Sequence, residues 1–189
     1  MIPRYTRPEM ARIWSDENRF RNWLAVEVAA TLTLADAGLV PKSAAKAIRD
    51  RADFNLNRIQ EIEAEIRHDV IAFTTAVAEI VGPDARWFHY GLTSNDVVDT
   101  AQALLIGQAS AIIAADLERL AEALERRAWE FKDTPMIAAL MGFMPSRSRS
   151  VSNWPTGTPR CGAISRASNW RRRTCAWASS PVRSVLSLT

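Results

Sequence analysis

SNDVVDTAQALLIGQASAIIAADLERLAEALERRAWEFK, residues 94–132, decides the fold. Val97, Val98, Ala101, Leu104, Leu105, Ile112, Leu117, Leu120, Leu124 and Phe131 keep a three-or-four-residue period, with no proline and Gly107 as the one glycine. That spacing predicts a single helix, roughly 58 Å long at the standard helical rise. A helix of this length carries more apolar surface than a small domain covers, so it calls for partner helices, from other subunits among other sources.

Working upstream, residues 87–92 read as a connecting loop, and Thr93 or Ser94 can cap the long helix with Asp96 in its first turn. Residues 57–81 form a helical candidate with Ile59, Ile62, Ile66, Val70, Phe73, Val77 and Ile80 on one stripe, ended by Gly82-Pro83. Arg67, His68 and Asp69 fall inside that predicted helix, with His68 off the apolar stripe, where a histidine is more often an ordinary surface residue. Pro41 opens a short helix to about Arg51. Pro8 and Glu9 give a start signal for a helix running to a C-cap at Gly38. Residues 1–8 read as an extended lead-in whose Arg4, Tyr5 and Arg7 suit either an anion or a solvated arm. The first 137 residues are therefore read as all-α.

Composition divides the chain. Residues 1–137 hold 16 basic and 21 acidic side chains, a net −5, whereas residues 138–189 hold eight arginines and no acid, a net +8. The overall +3 describes neither part. Cys161 and Cys175 both lie in the basic segment, so no disulfide framework is indicated. The N-terminus has no apolar signal-like region and no run of 18 apolar residues occurs. The expectation is a soluble, cytoplasmic protein with no membrane association.

Chemistry concentrates at residues 67–100, which contain both histidines, His68 and His89. Free N–H groups at a helix start, with the hydroxyls of Thr93 and Ser94, form an anion site to which His89 could donate. A plain N-cap beside a structural histidine fits the same residues.

RYTRPEM at residues 4–10, RHDV at 67–70 and HYGLTSNDVVDT at 89–100 together resemble the adenylosuccinate lyase family of the fumarase/aspartase superfamily. The resemblance runs almost continuously over residues 1–137, with the motifs in the family's order and spacing. It implies an N-terminal helical domain (residues 1–93), the start of a central helical bundle (94–137), and a homotetramer whose active sites each draw on three subunits. It also implies cofactor-free β-elimination of fumarate from adenylosuccinate to give AMP, and the same reaction on the succinyl-carboxamide ribotide of purine synthesis. By motif position, Arg4 and Tyr5 would bind the phosphate end of the nucleotide. Arg67, His68 and Asp69 would hold nucleotide and succinyl groups, with His68 in the acid/base ensemble. His89 would serve the phosphate, and Thr93 and Ser94 the succinyl carboxylates. A substrate with a phosphate and two carboxylates suits guanidinium groups, imidazoles and helix-start amides.

After a segment like EFKDTPMI the family continues with GRTHG, whose histidine is the general acid; here Ala138 to Gly142 stand instead. The codon table offers a cause. With one base lost after the Ile137 codon, Met141-Gly142 forces a glycine codon, and Met144-Pro145 and Trp154-Pro155 force alanine codons, where the family pattern has them. The hidden frame can spell GRTHGFHAEP. Residues 138–189 are accordingly expected to be a frameshifted, irregular and disordered tail. Ten Ser, eight Arg and three Trp suit a wrong reading frame of GC-rich DNA. A nucleic-acid-binding tail, with Arg171 to Arg173 between Trp170 and Trp177, is the rival, but no helical or strand period organises those residues. The expected product is a truncated, inactive lyase. The other possibility is a non-catalytic module that docks onto intact lyase subunits.

Overall fold

The structure, a computed structural model, describes residues 2–138 and 146–149. Residues through Ala109 form one compact unit, and the described residues from Ser110 onward belong to a second.

A 3₁₀ turn over Pro3–Tyr5 interrupts the lead-in expected to be extended. The helix expected over residues 8–38 is two helices, α1 (Pro8–Ile13) and α2 (Asp16–Asp36). The break is built by side chains. The Ser15 hydroxyl accepts from the Asn18 N–H at 3.2 Å, while Asn18 Nδ2 donates to the Ile13 carbonyl at 2.8 Å. One residue pair thus satisfies a donor of α2 and an acceptor left over from α1. Gly38, at φ +77, turns the chain after α2, and α3 (Lys42–Arg51) follows Pro41 as expected.

The helix expected over residues 57–81 is also two, α4 (Leu56–Ile66) and α5 (Asp69–Val81). Arg67 leaves helical geometry for the left-handed region (φ 52) and His68 becomes the N-cap of α5. Periodicity missed this break because Ile66 and Val70 keep their spacing across it. Gly82, at φ 82, ends α5, a 3₁₀ turn spans Pro83–Trp87, and α6 runs from Ser94 to Glu130.

The core of the first unit centres on Phe73 of α5, wholly buried. Its ring stacks on Phe20 at 5.7 Å and meets the edge of Trp23 at 5.6 Å. Phe54 and Phe88 approach within 6.3 and 6.2 Å. Ile48 of α3, Ile59 of α4, and Val97 and Ala101 of α6 close the same cluster. Burying a side chain as large as Phe73 contributes on the order of 1.5–3 kcal/mol.

Val97 is fully buried in this cluster, and Leu104 packs against it. The four-residue spacing of Val97, Ala101, Leu105 and Ala109 puts one face of α6 into the core. A polar bridge adds register: Asn18 Nδ2 donates to Gln108 Oε1 (3.0 Å), and Gln108 Nε2 donates to Asn22 Oδ1 (3.3 Å).

In the second unit, Ile113 and Leu120 are exposed and seven residues apart, hence on one side of that part of α6. By length and composition alone this helix could cross a membrane.

The described residues are helical, as the all-α reading has it, apart from one short strand pair at the start of the tail. β1 (Pro135–Ala138) pairs antiparallel with β2 (Ser146–Arg149), Pro135 opposite Arg149 and Ala138 opposite Ser146. Pro135 disfavours helical geometry at Thr134, and an extended backbone needs partners for its N–H and C=O groups. The remainder of the expected disordered tail lies outside the described residues.

Candidate active site

The N-terminal 3₁₀ turn, the α4–α5 break and the loop leading into α6 carry the candidate residues, all within the first unit. At the α4–α5 junction the Arg67 N–H donates to the Glu63 carbonyl at 2.8 Å, closing α4, and its guanidinium is exposed. His68 Nδ1 accepts from the Ile71 N–H at 3.3 Å. A ring nitrogen that accepts carries no proton, so the neutral ring has its proton on Nε2. The cap therefore sets which edge of His68 can donate. Its side chain is 43% exposed. Asp69 Oδ1 accepts from the Val70 N–H at 2.8 Å.

At the N-terminus the Arg4 guanidinium lies over the Tyr5 ring, 4.7 Å from its centroid. Both residues are exposed.

Residues 88–94 hold the third group. Buried Phe88 anchors this loop in the aromatic core, and Trp87 meets Tyr90 edge-on at 5.3 Å. His89 adopts φ +60, and its Nδ1 lies 2.5 Å from Glu27 Oε1. Glu27 is fully buried in α2, and its Oε2 has no hydrogen-bond partner among the described residues. Burial raises the Glu27 pKa, opposed by the hydrogen bond and charge of His89.

At the start of α6, the Thr93 N–H and hydroxyl both donate to Asp96 Oδ2, at 2.8 and 2.9 Å. This is the returning half of a capping box. The Thr93 N–H, then its hydroxyl, hold the Asp96 carboxyl below its ordinary pKa, and the charge of His89 adds to them. The donors at Thr93 thus already serve a carboxylate, the helix's own. Any other carboxylate would compete with Asp96 for them. Ser94 is half-buried.

No hydrogen bond, ion pair or ring contact joins the groups at residues 4–5, 67–69 and 89–94 among the described residues. No set of three His, Cys, Asp or Glu side chains is placed to hold a metal ion among them either.

Sequence reasoning missed Glu27. The available signal was one acid inside an otherwise apolar run, Leu24 to Ala30, on the face that Val26 and Trp23 bury. It also missed that Arg67 and His89 are the two non-glycine residues with positive φ among the described residues. Such geometry costs on the order of 1–3 kcal/mol per residue and persists where the surroundings impose it.

A family model described as Lyase matches residues 4–139, a span that includes all eight candidate residues. The chain belongs to this lyase family, within the fumarase/aspartase superfamily. The lyase chain is 51% identical over 142 residues to the adenylosuccinate lyase of Bacillus subtilis (strain 168) and 50% identical over 142 residues to that of Streptococcus mutans. Each match covers 75% of this chain but 33% of the relative, so the lyase chain spans about a third of their length. Among solved structures it superimposes on the 3-carboxy-cis,cis-muconate lactonizing enzyme of Pseudomonas putida with a TM-score of 0.74 and 25% identity. That match covers 97% of this chain and 47% of the other. A fumarate lyase from Mesorhizobium sp. BNC1 gives a TM-score of 0.68 at 23% identity, over 82% and 39% of the two chains. These structural likenesses bear on the fold.

Proposed function

We propose that this chain is the N-terminal part of an adenylosuccinate lyase, contributing phosphate- and carboxylate-binding groups to a β-elimination that releases fumarate. The observation that carries the reading is the 50–51% identity to two adenylosuccinate lyases across residues that include all three motifs. The substrates would be adenylosuccinate and the succinyl-carboxamide ribotide, both polyanions. Arg4, Tyr5 and His89 would take the phosphate end. Arg67, Asp69, Thr93 and Ser94 would position the nucleotide and the succinyl group. His68, with Nδ1 engaged by the α5 cap, would present Nε2 to the reacting succinyl group. Elimination needs a base for the carbon-bound proton and an acid for the departing nitrogen.

In this reading residues 1–93 form the N-terminal domain, 94–137 begin the helical bundle, and 138–189 are a frameshifted segment lacking the acid histidine. The intact enzyme is a cytoplasmic homotetramer that uses no cofactor. The 189-residue chain is inactive, and the same chain with one base restored after codon 137 releases fumarate. Purified protein of both kinds, assayed for fumarate, tests this. Fumarate from the 189-residue chain above a blank, or none from the restored chain, overturns the reading.

A second reading is favoured by the exposed Ile113 and Leu120 on one side of the second unit's part of α6. They suit a non-catalytic module that docks onto intact lyase subunits. Co-purification with the restored-frame enzyme supports this, and a monomer that ignores the enzyme removes it.

A further inference from the structure

Glu27 stands out among the ionisable groups of the first unit because it is fully buried and yet faces a candidate site residue. A carboxyl in an apolar core is costly unless a partner repays its desolvation. Among the described residues only one of its oxygens has such a partner, His89 Nδ1 at 2.5 Å. His89 in turn sits in left-handed backbone geometry, which a non-glycine residue adopts at a cost. Its side chain is about one quarter exposed (25%). The buried edge of the ring therefore meets Glu27, and the opposite edge, bearing Nε2, is the one that can reach solvent. Asp96, from α6, also interacts with this ring through its charge.

We infer that Glu27 is a positioning residue for His89: it engages Nδ1 from inside the core so that Nε2 is left outward as an N–H donor to an anionic oxygen of the substrate. The inference rests on the lyase reading for the identity of that anion, a phosphate.

The proton count supports the assignment. One proton lies between Glu27 and Nδ1 at this separation. If Glu27 supplies it, the neutral ring must carry its own proton on Nε2. If the ring is an imidazolium, Nε2 is again protonated. Only an ionised Glu27 beside a neutral ring protonated on Nδ1 leaves Nε2 bare, and that state places an unneutralised carboxylate in the core.

The chain has two histidines, which makes the test direct. The 189-residue protein labelled with ¹⁵N gives two imidazole spin systems, and half-exposed His68 serves as internal reference. His89 is expected to carry a proton on Nε2 at neutral pH and to shift on titration with inorganic phosphate. E27Q keeps the shape of the side chain but cannot hold the ring as a carboxyl group does. The response of His89 to phosphate should weaken at least severalfold in it, with His68 unmoved. A bare Nε2 in the wild-type protein, no phosphate response, or an undiminished phosphate response in folded E27Q would each overturn the assignment. If E27Q fails to fold, the wild-type tautomer and phosphate titration decide alone. None of these readouts uses catalysis, so absent fumarate release from the restored-frame chain would count against the lyase reading and leave this one standing.

Discussion

Replacing Phe73 by alanine should remove much of the stability of the first unit. The ring is wholly buried, with four aromatic neighbours whose centroids lie 5.6, 5.7, 6.2 and 6.3 Å away. A buried Phe→Ala change costs about 3–5 kcal/mol, the larger values applying where the site cannot collapse. Collapse is difficult here because the lining comes from α2, the segment before α4, and the loop after α5, each fixed by other contacts. Lost ring pairs, each on the order of 0.5–1.5 kcal/mol beyond area burial, push the same way. About 4 kcal/mol is the working expectation, near a thousandfold in the folding equilibrium. Against a total on the order of 5–15 kcal/mol for a domain, that is a quarter or more. Urea denaturation followed by far-ultraviolet circular dichroism measures it, with the neighbouring Ile71→Ala as control. Ile71 lies on the same helix but is 49% exposed, so its truncation should stay within about 0.5 kcal/mol. A Phe73→Ala midpoint no lower than the control's would refute the account of the core.

Asn55→Ala removes the cap that accepts from the Asn57 and Arg58 N–H groups and should cost about 0.5–2 kcal/mol by the same denaturation assay. Ser15→Ala removes the single hydroxyl cap of α2 and should cost about 1 kcal/mol, with the α1–α2 break loosening first under hydrogen exchange. Asp96→Asn should flatten the acid limb of thermal stability. The folded-state pKa of Asp96 is lowered, so its contribution is present above the unfolded value and disappears as pH falls through the folded one. Glu79, held low by Arg58, acts in the same direction. Glu27, raised by burial, acts oppositely: its contribution is present at low pH and is lost as pH rises through its folded value. Melting temperatures of wild type and Asp96→Asn between about pH 5 and pH 2 separate these, and parallel curves would discard the Asp96 assignment.

The helices were legible where apolar spacing and punctuation agreed. α3 begins after Pro41, α5 ends at Gly82, and α6 starts and stops within two residues of its expected limits. Spacing failed at the breaks after Ile13 and Ile66, because a cap can interrupt the hydrogen-bond ladder without shifting the apolar register. At the first, the signal was Ser15 followed by Asp16 and Glu17, an N-cap with acids in the first turn. At the second there was no such signal, since histidine is not among the strong capping residues. The motif residues themselves were visible as types. The pairing of Glu27 with His89, 62 positions apart, was not, because no local pattern encodes contact between α2 and a loop. The Asp96 cap was visible only as an acid near a helix start; its grip on both Thr93 donors needed coordinates.

The left-handed backbone at Arg67 sets a trap for anyone improving this domain by selection. Glycine would relax the position, because it adopts positive φ without steric cost. At His89 the same change would strand buried Glu27 without its partner, so the gain is confined to Arg67. A library ranked by thermal resistance alone would therefore favour replacing Arg67 early. Its winners would be sturdier proteins from which a guanidinium had been erased, and no measure of foldedness would register the loss.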